Sequence, residues 1–319
     1  MIIVSHVFGS FLIKINSLHS IEWWFVNLSC SLTRFCVPIF LMVSGALLLN
    51  KTNKAWPFYK KRFTKVFIPF FLWSTVYTSL FLAYELYLGN ISTLSDVFVF
   101  SINSYINGAA YHLWYFYLLF SLYIVLPFVG DWIKSYAWFK YAYVITWVII
   151  LCIAQFSNNH IVYGMRWLIG YFGYMVLGYF LFNLHLQKSI AKKIGLVLFF
   201  IGLIFTMLAG YVAIKNQDPD YYSWYYRLNI NVALMAAGLF LFFKNIHFDS
   251  SILNVLAKNG LGIYLVHLLV IMLLNKIWPT QIELPAIIYL LSFSSICLFI
   301  SLYSIQQLRK LPYVGKFIM

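Results

Sequence analysis

The chain has 319 residues, of which 63% are hydrophobic, 21% aromatic and 9% charged, with a formal net charge of +14 and a mean hydropathy of +0.85. Soluble globular domains average roughly 45–50% apolar and about 25% charged residues. Eight acidic and 22 basic residues cannot cover a water-soluble protein of this size, which excludes a soluble enzyme, a disordered chain and a nucleic-acid-binding protein. Four cysteines are too few for a secreted disulfide scaffold. The composition therefore predicts an integral membrane protein.

Ten apolar segments, separated by polar or charged clusters, are predicted to cross the membrane as α-helices. A transmembrane β-barrel would alternate apolar and polar residues over ~10-residue strands, whereas these runs are continuously apolar over about 17–22 residues. The predicted fold is therefore an all-α, polytopic membrane domain that covers 1–319. In chain order the segments are about 1–13, 28–49, 66–88, 113–130, 141–156, 167–184, 194–214, 227–243, 259–275 and 285–305.

The first of these segments is short. Its 13 residues span ~20 Å of helix, against a hydrocarbon core of roughly 30 Å. We therefore expect the first transmembrane helix to begin upstream of Met1.

The basic residues are distributed unevenly between the two sets of loops. With both termini in the cytoplasm, sixteen of the 22 basic residues fall in cytoplasmic loops, five fall in outer loops and Arg34 lies inside a segment. Cytoplasmic loops carry an excess of Lys and Arg, so this asymmetry predicts an even number of spans with both termini inside.

The cytoplasmic segment from Lys51 to Lys65 contains six basic residues and no acid. Its charge has two interpretations: membrane insertion next to anionic lipid headgroups, or the binding of an anionic cytosolic ligand. For the second, a phosphorylated donor is the expected ligand, with Lys61, Arg62 and Lys65 as its contacts.

Two outer segments combine aromatic residues with carboxylates or amides: 89–112, which contains tyrosines, and Asp218–Arg227, whose sequence is DPDYYSWYYR. Such residues favour sugar binding, and they are also typical of the aromatic belt at a membrane interface. The pattern leaves both interpretations open.

Arg34 stands about six residues inside the second predicted segment, in SLTRFCVPIFLMVSG. A guanidinium stays charged in a membrane and therefore needs a partner or water. Pro38 is predicted to break this helix, and Ser44 with Gly45 marks a place where the backbone can approach another helix or a ligand. These features favour a polar cavity; the alternative is an arginine that reaches the outer headgroups.

Three histidines and one acid are further candidates among the ionisable groups in or beside the segments. His6 and His267 lie near mid-membrane by residue count, and His112 lies at the mouth of the fourth segment. Histidine can take and give a proton near neutral pH, as acyl transfer to a hydroxyl requires, although buried neutral histidines are common. Glu85, the only acid in a segment, is the expected counter-ion of Arg34 or the residue that orients a histidine.

Other chemistries lack support in the sequence. The cysteines and histidines have no metal-ligand spacing, and the chain contains no GxxxxGKS, GxGxxG or GxSxG motif. We therefore expect no metal, no permanently bound cofactor and no ATP-driven transport.

Four motifs in this order resemble those of the acyltransferase 3 family: the segment with His6, RFCVPIFLMVSGALLL, HLWYFYLLFSLYIVLP and LGIYLVHLLVI. The chain is particularly similar to the stand-alone members that O-acetylate bacterial surface polysaccharides. The resemblance implies a bacterial plasma-membrane protein with ten helices. It also implies acetyl-CoA as the cytosolic donor and a lipid-linked or surface glycan as the acceptor.

The resemblance also implies roles for individual residues. His6 matches the first-helix histidine that acts in proton transfer, and Arg34 matches the arginine of the second motif, which Pro38, Ser44 and Gly45 complete. A family arginine eleven positions before this histidine would fall before Met1, in line with the short first segment. The remaining matches are His112 and Trp114 in HLW, and Tyr264 and His267 in YLVH.

We therefore predict catalysis by His6 and Arg34 with help from Glu85, and substrate contacts from Ser44, His112, Trp114, Tyr264 and His267. In this mechanism His6 is the base or carries the acetyl group, and Arg34 stabilises the oxyanion or holds the donor. Two alternatives remain: a glycan exporter without covalent chemistry, and an inactive subunit of a glycan synthase.

Overall fold

The structure is a computed structural model that describes residues 1–12, 18, 20–50, 55–157, 160–246, 249–277 and 285–311. Thirteen α-helices form within these ranges and no strand occurs in them. They are α1 Ile2–Phe8, α2 Ile21–Thr33, α3 Cys36–Leu48, α4 Ala55–Arg62, α5 Ile68–Tyr87, α6 Leu94–Asn107, α7 Trp114–Ser135, α8 Ala137–Phe156, α9 His160–Asn183, α10 Lys188–Lys215, α11 Ile230–Phe243, α12 Ser251–Ile277 and α13 Ala286–Leu308.

Eight helical stretches among the described residues are long and apolar enough to cross a membrane. They are Ile21–Leu48, Ala55–Tyr87, Tyr111–Ser135, Trp138–Phe156, Lys188–Lys215, Tyr221–Phe243, Ser251–Ile277 and Ile287–Leu308. The part of α9 from Ile169 to Asn183 is a shorter apolar helical stretch. The predicted class, an all-α polytopic membrane protein, is confirmed; ten crossings and cytoplasmic termini stay predictions.

The chain divides into two compact units. Unit 1 comprises Met1–Thr52, Val129–Ser250 and Pro279–Ile296; unit 2 comprises Asn53–Phe128, Ser251–Trp278 and Cys297–Met319.

Close helix pairs hold unit 1 together, with α10 along α11, and α3 and α8 both against α9. A Cβ at Gly45 of α3 would collide with the Met175 backbone, and one at Gly178 of α9 would collide with the Met42 backbone. Small residues let helix backbones approach in this way inside a membrane.

The break at Arg34 lies four residues before the predicted break at Pro38, because α2 ends at Thr33 and α3 begins at Cys36. The physical reason is nevertheless Pro38, whose nitrogen has no hydrogen to donate to the carbonyl of Arg34. In the first turn of α3 proline costs little. The predicted segment 28–49 is therefore two helices.

Unit 2 contains one long continuous helix, in which α4 passes through a π-helical turn at Phe63–Phe67 into α5. Four of the six basic residues between Lys51 and Lys65 lie near the start of this long helix. The other two, Lys51 and Lys54, lie outside the described residues. The Tyr77 hydroxyl on α5 donates to the Leu265 carbonyl of α12 at 2.8 Å.

The predicted outer loop 89–112 contains helix α6, which was not predicted from the sequence. Thr93 caps it: its hydroxyl accepts from the Asp96 N–H at 3.2 Å, and the Asp96 carboxylate accepts from the Thr93 N–H at 3.0 Å. Hydrogen bonds from Thr93 lower the pKa of Asp96, because they stabilise the ionised carboxylate. At 14 residues the helix is too short to have been recognised as a membrane span.

Candidate active site

Arg34 lies at the break between α2 and α3 and is only 4% exposed. The break places it at the C-terminus of α2, where the partial negative charge of the helix end favours a cation. A charged group inside a membrane-spanning segment is costly and marks a functional site by default.

Arg34 is held by aromatic side chains of the segment DPDYYSWYYR. Its Nη2 donates to the Tyr222 hydroxyl at 2.8 Å, and its guanidinium carbon lies 4.9 Å from the centre of the Tyr222 ring and 5.3 Å from that of Tyr225. Cys30 lies one turn earlier on α2, on the same face as Arg34. Cation–π contact is stronger where water is excluded, so these rings can hold the charge in place.

Tyr222 and Tyr225 belong to a 3₁₀-helix, Tyr221–Tyr225, that buried amides fix in place. The Tyr225 hydroxyl donates to Asn27 Oδ1 at 2.8 Å, and Asn27 Nδ2 donates to the Met207 carbonyl at 3.1 Å. Part of this segment therefore faces the interior of unit 1. Neither interpretation of the sequence, aromatic belt or sugar surface, anticipated that role.

A second amide joins the same 3₁₀-helix to the helices behind it. Asn231 Nδ2 donates to the Thr206 hydroxyl at 2.7 Å and to the Trp224 carbonyl at 3.1 Å. Gln155 on α8 in turn donates to Asn231 Oδ1 at 3.3 Å. Satisfied buried networks of this kind rigidify what they hold, here the two tyrosines over Arg34.

His6 lies on α1. The turn that follows it reaches the Arg34 cluster, which consists of Arg34, Tyr222 and Tyr225. A Cβ built on Gly9 would lie 3.4 Å from the Tyr222 hydroxyl. His6 and Gly9 are three residues apart on consecutive helical turns and therefore share a face. His6 itself is half-buried. Unit 1 thus brings together the elements that carry two of the predicted catalytic residues.

Glu85, the third predicted catalytic residue, lies near the C-terminus of α5 in unit 2. Its carboxylate accepts from Asn90 Nδ2 at 2.7 Å. Arg34, in unit 1, has Tyr222 as its hydrogen-bond partner and the two tyrosine rings around its charge.

Ser44, a predicted substrate contact, is half-buried on α3. The neighbouring Gly45 packs directly on the backbone of α9. Of the two options left open by the sequence, approach to a helix or to a ligand, the structure shows the helix for Gly45.

The late motifs meet in unit 2. His112 and His267 are buried, with ring centres 5.2 Å apart, and the His112 ring also lies 5.2 Å from Tyr77 and 5.4 Å from Tyr264. The Tyr264 hydroxyl donates to the His112 carbonyl, and His267 Nδ1 lies 2.6 Å from the Tyr264 carbonyl oxygen. Trp114, two residues after His112, is half-buried. The HLW and YLVH motifs, far apart in the sequence, therefore form one side-chain cluster in unit 2.

The three residues predicted to contact the phosphorylated acyl donor differ in their surroundings. Lys61 and Lys65 are exposed, whereas the Arg62 guanidinium lies 5.6 Å from the Phe58 ring centre and 5.8 Å from that of Tyr123. Arg62 also lines a cavity of about 840 Å³. The other lining residues are mostly aromatic or apolar: Trp56, Tyr59, Lys60, Phe63, Thr64, Phe67, Phe120, Tyr123 and Ile124.

No group of three or more His, Cys, Asp or Glu side chains that could hold a metal ion occurs in the part of the chain that the structure describes. The four cysteines are unpaired thiols, with Cys30 and Cys297 buried. Each of the two clusters, one in unit 1 and one in unit 2, offers acid–base or electrostatic groups of its own.

The fold and these clusters define a multi-pass membrane protein with an arginine and histidines held inside its helical units. A family model described as an acyltransferase domain matches residues 1–304 of the 319. The chain belongs to this family, acyltransferase 3, and is an acyltransferase. Comparisons with curated proteins and with solved structures gave no significant match.

Proposed function

We propose that the protein transfers an acetyl group from acetyl-CoA to a hydroxyl of a lipid-linked or surface polysaccharide in a bacterial plasma membrane. One observation carries this proposal: the hydroxyl of Tyr222, which holds the buried Arg34, lies 3.4 Å from a Cβ built on Gly9 in the turn that follows His6. Acyl transfer to a hydroxyl needs a positive charge in a low-dielectric site and a base, and His6 lies one helical turn before Gly9.

The proposed chemical step joins these two residues. His6 takes the proton of the acceptor hydroxyl while its oxygen attacks the thioester carbonyl carbon, and the carbonyl electron pair moves onto the carbonyl oxygen. Arg34 stabilises that oxyanion. When the electron pair returns, the carbon–sulfur bond breaks, the thiolate leaves and the proton on His6 neutralises it.

The other predicted residues take binding roles. Lys61, Arg62 and Lys65 meet the phosphates of acetyl-CoA at the basic end of α4, where the aromatic cavity beside Arg62 offers room for the rest of the nucleotide. Glu85 orients a catalytic group. The residues that contact the polysaccharide acceptor are Ser44, His112, Trp114, Tyr264 and His267.

The test is the ester-linked acetate of purified surface polysaccharide from cells with and without the gene. We expect deletion to remove these esters, the wild-type gene to restore them, and His6→Ala to fail to restore them. His185→Ala is the matched control, because His185 is exposed in the loop between α9 and α10.

Two results would contradict the proposal. Unchanged esters with polysaccharide retained inside the cell would show an exporter instead. Full activity of the His6→Ala protein at wild-type abundance would remove His6 from the mechanism.

A further inference from the structure

The Arg34 guanidinium has a buried donor, Nε–H, that lacks an acceptor among the described residues. Nη2 donates to the Tyr222 hydroxyl, whereas the buried Nε has no hydrogen-bond acceptor among the described residues. Buried polar atoms are nearly always hydrogen-bonded, so an exception calls for an explanation such as a ligand.

The geometry of arginine says where such a ligand would lie. Nε–H and one Nη–H point from the same edge, and a carboxylate fills that edge with two oxygens side by side. Nη2, which belongs to this edge, donates to the Tyr222 hydroxyl at 2.8 Å. An oxygen bound to Nε–H would therefore share the edge with the atom that holds the Tyr222 hydroxyl.

The Tyr222 hydroxyl is able to donate to that oxygen. A phenol has one hydrogen to give besides its acceptor capacity, and Tyr222 already accepts from Arg34. Its own hydrogen is thus available for an oxygen at the Nε place, and the neighbouring guanidinium charge polarises the O–H bond toward donation.

Gly9 provides a second, independent observation. Its φ of −56° and ψ of −36° are ordinary right-handed helix, so the backbone does not require glycine, which helices disfavour relative to alanine. Among the described residues, a Cβ there would come within 4 Å of the Tyr222 hydroxyl alone. The missing side chain thus leaves space beside this hydroxyl, on the face that Gly9 shares with His6.

We propose that Arg34 Nε–H and Tyr222 O–H together form a site for one anionic oxygen. Its ligand class is the oxyanion that develops on the thioester carbonyl during acyl transfer. This inference rests on the proposed function and adds Tyr222 to the catalytic residues, with Gly9 as the residue that leaves room for the ligand.

The first test is Tyr222→Phe, which keeps the ring over Arg34 and removes only the hydroxyl. Purified protein is assayed for thiol release from acetyl-CoA in the presence of the surface polysaccharide. We expect kcat to fall by about 100- to 1,000-fold, with KM for both substrates nearly unchanged, because the bond forms only in the transition state. Tyr226→Phe, in a 40%-exposed neighbour, is the control and should retain wild-type kcat.

Gly9→Ala tests the space rather than the hydroxyl. The methyl group is expected to lower kcat while the thermal midpoint stays equal or rises, because alanine favours a helix more than glycine does. Gly260→Ala, whose new methyl has nothing within 4 Å among the described residues, should leave kcat unchanged. A loss of kcat without a loss of stability separates a ligand site from damage to the fold.

A double variant tests whether the two donors share one oxygen. The loss in Arg34→Lys/Tyr222→Phe should be smaller than the product of the single losses, because groups that act as a unit are not additive. Independent, multiplying losses would overturn the shared site, and so would a kcat within twofold of wild type for Tyr222→Phe. A wild-type protein that releases no thiol would instead overturn the proposed function, and this inference with it.

Discussion

Single side chains decide whether the Arg34 cluster is rigid. Asn27 Oδ1 accepts the Tyr225 hydroxyl at 2.8 Å and the Ser31 hydroxyl at a longer 3.4 Å. Both asparagine and tyrosine are buried. The tyrosine bond is therefore the stronger of the two that Asn27 Oδ1 accepts.

Tyr225→Phe is expected to lower the free energy of unfolding by about 1–3 kcal/mol, because Asn27 loses a buried donor that Ser31 does not replace. Thermal unfolding of the detergent-purified protein measures this change. Tyr226→Phe serves as the reference for loss of a hydroxyl in a partly exposed residue. Equal midpoints for the two variants would show that the network is not needed to hold the 3₁₀-helix.

The chemical type of Arg34's partner could not be predicted from the sequence. Charge alone suggested Glu85, the only acid in a predicted span. The structure shows a neutral hydrogen-bond partner, Tyr222, 188 positions away, and the role of Glu85 stays a prediction. Nothing in local periodicity connects two residues so far apart. The segment DPDYYSWYYR was conspicuous, but its spacing does not show which of its tyrosines face inward.

At the scale of helices, the sequence predicted positions better than boundaries. Apolar length located the spans, because a helix inside lipid must satisfy its own backbone. The break at Arg34 was placed four residues late, since a proline frees the carbonyl one turn before it. Helix α6 was missed because short surface helices lack the length signal that identified the others.

The packing of α3 on α9 depends on Gly45 and Gly178, where any Cβ would meet backbone of the other helix. Gly45→Ala and Gly178→Ala are each expected to cost at least about 1–3 kcal/mol of stability, because backbone cannot move aside as a side chain can. Unfolding in detergent, with folded yield from the membrane, is the measurement.

The control for this packing is Gly164→Ala, also on α9. A Cβ there has nothing within 4 Å among the described residues, so only helix propensity changes. It should be neutral or stabilising by up to about 1 kcal/mol. If all three substitutions behaved alike, close approach of α3 and α9 would not be the reason for glycine at 45 and 178.

For the molecule as a whole, composition was enough to predict the class and the motif order was enough to predict the family. Both follow from properties that a linear sequence records: apolar length, and short motifs at fixed places. The orientation in the membrane rests on another linear property, the uneven distribution of Lys and Arg, and it decides from which side the donor enters.

Labelling with a membrane-impermeant maleimide tests this orientation. Ser92→Cys, exposed just before α6, should react in intact cells, whereas Lys192→Cys, exposed near the start of α10, should react only after permeabilisation. The wild-type chain, whose four cysteines are buried or half-buried, gives the background.

The same experiment constrains the donor site. Ala55–Tyr87 is one continuous helix of 33 residues, about 50 Å long, against a hydrocarbon core of about 30 Å. Lys61 and Ser92 therefore lie on opposite sides of the membrane if this helix crosses it. Outer labelling at Ser92→Cys would place Lys61, Arg62 and Lys65 on the cytosolic side, where acetyl-CoA is available. The reverse pattern would exclude them as contacts of a cytosolic donor.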